Sequence, residues 1–127
     1  MEIFKVKAFL RFARSEGIAD AKLIEAVERA NAGLIDADLG GGVVKQRVAR
    51  EGQGKSGGYR TILLFRQGER AIFAYGFAKN DRDNIDRTEL AAFRKAAALF
   101  LGFDEAAVTK MIDSGAWSRV ETDKDRL

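Results

Sequence analysis

The chain contains neither cysteine nor histidine. The first absence removes disulfides, thiolate nucleophiles and cysteine metal sites together. The second rules out serine–histidine and cysteine–histidine catalysis and takes the main nitrogen ligand from the usual zinc and iron sets. Acid–base chemistry is left to Lys, Tyr, Asp and Glu, with Arg available as a fixed charge, and no metal or other cofactor is expected. Long apolar runs are also missing. None approaches the roughly 20 residues that span a bilayer, so no membrane partner is expected. The first residues, MEIFKVKAFLRFARSEG, lack an uninterrupted apolar stretch and a small-residue cleavage site, and read as the start of the fold rather than a signal peptide.

What is present fits one globular domain. The 127 residues suit a single core, with 46% hydrophobic and 32% charged residues. The net charge of +3 is unevenly spread. Residues 43–79 hold Lys45, Arg47, Arg50, Lys55, Arg60, Arg66, Arg70 and Lys79 against Glu51 and Glu69 only, so this segment carries +6 and the rest −3. Such a basic segment suggests a polyanionic partner, although solvated strand faces would give the same count.

Hydrophobic spacing gives the order of elements. A short lead with strand character is followed by a helix over Lys7–Glu16 that stops at Gly17. A second helix over Asp20–Asn31 carries Leu23, Val27 and Ala30 on one face. Gly40, Gly41 and Gly42 make a turn, after which Val43–Arg50 alternates as a strand, with Lys45 and Arg47 on one face. Glu51–Gly58 reads as a glycine-rich connection, and Tyr59–Arg66 and Arg70–Ala78 as an antiparallel hairpin. Phe73, Tyr75 and Phe77 are expected on one strand face. Asp86 and Glu89 have capping-box spacing at the start of a helix with Leu90, Phe93, Ala97 and Phe100 along one stripe, and a short helix follows Asp104. The expected class is α+β: an N-terminal helical hairpin, a three- to four-stranded antiparallel twisted sheet, and C-terminal helices packed on the sheet. The domain is expected over residues 1–117, with a polar tail over 118–127.

Gly52–Gly58 superficially matches a phosphate-binding P-loop, but the first glycine of that pattern would fall on Ala49. A strand rather than a helix follows, so no helix N-terminus is available to hold phosphates. A wide connection whose glycines admit a ligand backbone, with Lys55 at its tip, is the better reading.

Three blocks in order resemble a branch of the RelE/HigB toxin superfamily. They are Gly33–Gly42; Lys45-Gln46-Arg47 with Ala49-Arg50 and the run Gly52–Arg60; and Tyr75–Ile85. The resemblance implies a RelE-like fold and a cytoplasmic toxin of a type II toxin–antitoxin pair, an endoribonuclease that cuts messenger RNA on the ribosome and so inhibits translation. Relatives on the same fold inhibit DNA gyrase, so the fold alone does not fix the target. A basic nucleic-acid-binding module that is not toxic is the third reading of the charge pattern. The implied partners are a cognate antitoxin of helix-turn-helix type, the ribosome and messenger RNA.

Metal-free RNA cleavage needs the 2′-hydroxyl deprotonated, the phosphorane stabilised and the departing 5′-oxygen protonated. Lys45 and Arg47 share a strand face and Arg60 on the next strand can meet them, a cluster suited to phosphorane charge. Neighbouring positive charge favours the neutral amine that serves as a base. Lys45 is the leading base candidate and Lys55 the second, with Arg47 and Arg60 as stabilisers. Arg50, Tyr59, Lys79, Asn80 and Arg82 are expected to bind RNA. By the resemblance, Lys79–Arg82 is the family's basic segment after the last strand. Asn80 stands where an arginine is often found, and Asp86 where some relatives carry a stacking tyrosine, so the general acid is not assigned.

Overall fold

The computed structural model describes residues 1–50, 54–78 and 84–121, with residues 54–57 described in their backbone. Its elements are β1 (Glu2–Val6), α1 (Lys7–Glu16), α2 (Asp20–Asn31), β2 (Ala37–Gly40), β3 (Val43–Arg50), β4 (Gly54–Arg66), β5 (Arg70–Ala78), α3 (Arg87–Phe100), α4 (Glu105–Asp113) and β6 (Trp117–Arg119). They form an α+β fold around one sheet of order β2-β3-β4-β5-β1-β6. The sheet is antiparallel except where β1 lies parallel to β5, pairing Glu2 with Arg70 and Lys5 with Phe73.

The sheet has six strands rather than three or four, because both ends of the chain join it. β1 places Phe4 fully inside, and β6 pairs Phe4 with Arg119 and Val6 with Trp117. Ser118 and Arg119 are therefore strand residues, and Val120 is buried, where composition alone suggested a polar tail.

Alternation along each strand feeds two cores. Val44, Val48, Leu63, Phe65, Ala71 and Phe73 face Phe9, Ala13, Leu23 and Val27 of α1 and α2. Val43, Ile62, Leu64 and Ile72 face Ala97, Leu101, Val108 and Trp117 on the α3–α4 side. The helical hairpin and the C-terminal helices thus cover opposite faces, at opposite sides of a shared sheet. α1 lies unusually close to β5. A Cβ on Gly76 would fall 2.5 Å from the Phe12 ring and 3.0 Å from that of Phe9. Only a residue without a side chain lets those two rings sit on the strand backbone.

Two local expectations are corrected. The glycine-rich connection is shorter than Glu51–Gly58, since β4 begins at Gly54, opposite Arg50. Gly54, Gly57 and Gly58 are strand residues next to a register shift between Val48 and Arg50, and a Cβ on Gly58 would lie 2.5 Å from the Val48 carbonyl oxygen. The aromatic alternation of β5 is also broken. Ile62 pairs with Tyr75 and Leu63 with Phe73, leaving Ala74 unmatched in a bulge. Phe73 therefore stacks on Phe9, with centroids 5.0 Å apart, while Tyr75 packs on the opposite face beside Phe93.

Helix ends follow the sequence closely. Gly17 closes α1 at φ 69°, and Asp86 and Glu89 form a reciprocal capping box at α3. Among the described residues no helix is long and apolar enough to cross a membrane.

Candidate nucleic-acid interface

Lys45, Arg47 and Arg60 are brought to one face of the sheet. β3 and β4 pair Lys45 with Ile62 and Arg47 directly with Arg60, and β4 and β5 pair Arg60 with Phe77 and Ile62 with Tyr75. Residues paired across strands point the same way. The face therefore carries three cations beside two aromatic rings, at the end of the sheet away from the α3–α4 turn.

The Arg47–Arg60 pair is the close kind. The Arg47 amide donates to Asp36 Oδ2 at 2.6 Å and its carbonyl accepts from Arg29 Nη2, so both groups point away from β4. A pair that exchanges no backbone bonds has Cα atoms only about 4.5 Å apart. Two guanidinium groups so placed repel each other.

Their environments differ. Arg47 is offset by Asp36, whose Oδ1 lies 3.3 Å from both Nε and Nη2 of the arginine. Arg60 has no such counter-ion among the described residues, and its Nη1 is buried without any hydrogen-bond partner. A buried guanidinium nitrogen left unbonded is costly, and sites of this kind often await a ligand. Lys45 is half-buried and, among the described residues, forms no ion pair or hydrogen bond through its side chain.

The strands beneath are fixed by two buried polar side chains on the opposite face. Gln46 is fully buried; its Nε2 donates to the carbonyls of Ala26 and Leu34, both at 3.0 Å, and its Oε1 accepts from the Asp36 amide at 3.0 Å. Thr61, also fully buried, donates to the Gln46 carbonyl at 2.8 Å. Gln46 therefore ties α2 and the approach to β2 to the strand between Lys45 and Arg47, and so sets the position of Asp36. Gln46→Leu leaves two carbonyls and one amide without partners and is expected to cost about 2–4 kcal/mol, read from urea unfolding.

The remaining expected residues do not join this face. Tyr59 is buried on the α1 side, edge-on to Phe12 with centroids 5.6 Å apart, its hydroxyl 3.4 Å from the Glu16 carbonyl. Burial, then the negative charge of Glu16, push its phenol above the usual value. Arg50 lies over the Tyr59 ring at 5.7 Å and borders a different cavity, of about 320 Å³, with Ser15, Glu16 and Lys22. Both belong to the far side of the sheet from Arg60. Lys79, Asn80 and Arg82 lie outside the described residues, as does the side chain of Lys55.

Sequence reasoning missed Asp36 and Tyr75. Nothing local marks Asp36, since its role depends on a strand ending early enough to expose the edge of β3. Tyr75 was hidden by the bulge that separates it from Phe73. Half-buried between Phe77 and Phe93, at 5.8 and 6.1 Å, it is more accessible than the buried Phe77.

A family model described as the RelE toxin of the RelE/RelB toxin–antitoxin system matches residues 1–120. No curated protein matches the chain.

Proposed function

Because this chain belongs to the RelE toxin family, with a cognate antitoxin as the partner that membership implies, we propose that it cleaves messenger RNA on the ribosome without a metal. The observation that carries this reading is the buried, unpartnered Nη1 of Arg60 on the same face as Lys45. A phosphate oxygen in reach of that nitrogen satisfies it. The binding strengthens as charge grows on the phosphorane, which is the differential interaction that lowers a barrier.

In this reading the Lys45 amine takes the proton of a 2′-hydroxyl and the 2′-oxygen bonds to the adjacent phosphorus. The phosphorane collapses with loss of the 5′-oxygen, which takes up a proton, leaving a 2′,3′-cyclic phosphate and a 5′-hydroxyl. Arg60 bears on the equatorial oxygens. Arg47, partly neutralised by Asp36, contributes less. Lys55 is the second candidate base. Lys79, Asn80 and Arg82, which follow β5 directly in sequence, are proposed to bind the RNA backbone. Tyr75 supplies the nearest accessible ring for a base. The antitoxin is proposed to be of helix-turn-helix type and to cover this face.

The test is brief induction in bacteria with transcript ends mapped, wild type beside Arg60→Ala. Codon-phased cuts in translated messages, absent from the variant, are expected. Growth arrest with intact messages would overturn the nuclease reading and point to gyrase or to blockade of the ribosome.

A further inference from the structure

A cavity of about 250 Å³ opens at the margin of the sheet beside Arg47, lined by Glu25 and Arg29 of α2 and by Arg47 and Ala49 of β3. It exists because β2 is short. β2 pairs with β3 only as far as Lys45. At Arg47 the edge of β3 is met by side chains instead: Asp36 accepts from the amide and Arg29 donates to the carbonyl. Ala49 is too small to fill the space that remains.

The charges here differ from those around Arg60. Asp36 holds Arg47 along one edge of its guanidinium, with Oδ1 3.3 Å from both Nε and Nη2. The other edge, Nη1 with the outer N–H of Nη2, has no acceptor among the described residues. Asp36 is itself fixed, since its amide donates to Gln46 Oε1 at 3.0 Å and its Oδ2 accepts from the Arg47 amide. Arg47 is therefore a neutralised fork held in one orientation, not a free charge. Glu25, exposed at the same cavity, has only a long ion pair with Lys22, at 4.0 Å, so its carboxylate oxygens remain available.

We propose that this cavity takes a guanine base of the message, with Arg47 donating to O6 and N7 and Glu25 accepting from N1–H and the N2 amino group. The inference rests on the reading that message RNA lies across the Lys45–Arg60 face, and adds the base which that face selects. Guanine alone carries two acceptors on the edge that the arginine fork meets. Adenine N6 and cytosine N4 would point a donor at the arginine, and uracil offers one acceptor. Guanine also has two donors on its adjoining edge, where adenine and cytosine carry a ring-nitrogen acceptor that a carboxylate repels. A phosphate fits less well, because Asp36 and Glu25 both repel it, and an acidic protein side chain fails for the same reason. Arg60 has no carboxylate beside it among the described residues and is the better phosphate site. Arg47 and Arg60 are direct cross-strand neighbours, so a base at one and a backbone phosphate at the other belong to one stretch of RNA.

The test is binding to ribosome-bound messages that differ in one base, placed in turn at each position of the codon under attack. A 2′-deoxy sugar at the attacking position lets them be held without being cut. Guanine is compared with adenine, cytosine, uracil, inosine, which lacks the N2 amino group, and 7-deazaguanine, which lacks N7. At one codon position the wild type should hold guanine roughly tenfold or more tighter than the three other natural bases, the worth of one bidentate pair. Inosine and 7-deazaguanine, each missing one charge-assisted bond, should lose roughly fivefold or more. Glu25→Ala should hold guanine and inosine equally while still preferring guanine to 7-deazaguanine, a split that a general loss of structure cannot produce. Alanine keeps the helix and Glu25 is exposed, so matching thermal melts are expected. A wild type that holds every base alike, or holds none, overturns the inference, as does a Glu25→Ala variant that still prefers guanine to inosine. A Glu25→Ala variant with wild-type base preference that loses its antitoxin also overturns it, since the cavity is then a protein contact. If messages with the 2′-hydroxyl restored stay intact while base preference follows Glu25, the nuclease proposal fails and this one stands. Cleavage with no base preference in either measurement does the reverse.

Discussion

Arg60→Ala should abolish message cleavage by a factor of about 100–1,000 while leaving the protein as stable as the wild type or slightly more so. The rate loss is that typical of one preorganised donor aimed at developing phosphorane charge. The stability change has the opposite sign from most buried substitutions, and the reason is electrostatic. Arg60 sits directly across from Arg47, and its Nη1 is buried with no acceptor among the described residues. Truncation removes both the repulsion and the unsatisfied nitrogen, offsetting the lost packing of its stem. Cleavage is read by primer extension on ribosome-bound message, and stability by urea unfolding of the two proteins. A variant that is inactive and also strongly destabilised would mean that Arg60 serves the fold rather than the reaction.

The second large effect is on the fold. Trp117→Ala is expected to lose about 3–5 kcal/mol, enough to unfold a marginal domain. Trp117 is 2% exposed and lies at the centre of an aromatic cluster, with ring centroids 5.1 Å from Phe4, 5.3 Å from Phe100 and 5.7 Å from Phe103. It joins β1, the end of α3 and the approach to α4 in one contact set. The indole is the only tryptophan in the chain, so its fluorescence reports unfolding of the parent cleanly. The variant is followed by far-ultraviolet circular dichroism. Trp117→Phe, which keeps an aromatic ring, should recover a large part of the loss.

The central strands were legible because their signals are local. Alternation over Val43–Arg50, the short turn at Gln67–Glu69 and the Asp86–Glu89 capping box each act within a few residues, and each is found in place. β1 was legible only as a short lead with strand character and β6 was not legible, because both owe their pairing to partners far along the chain. Phe4 and Trp117 belong to sequences too short to declare a strand alone. The face shared by Lys45, Arg47 and Arg60 followed from strand parity once the β3–β4 register was right. What parity could not reveal was unequal neutralisation. Asp36 reaches Arg47 only because Gln46 anchors its amide, and that bond crosses ten residues. Bulges defeated the rest. One extra residue at Ala74 sent Phe73 and Tyr75 to opposite faces, and the shift after Val48 turned loop glycines into strand.

The place of β1 between β5 and β6 has a consequence for assembly. Glu2 pairs with Arg70 and Phe4 with Arg119, so β1 is made before both of its neighbours and waits for β6 to complete its pairing. β3, β4 and β5, by contrast, are consecutive hairpins whose closure spans few residues and costs little entropy. A chain emerging from its N-terminus delivers the whole Lys45–Arg60 backbone before the residues that close the far margin of the sheet exist.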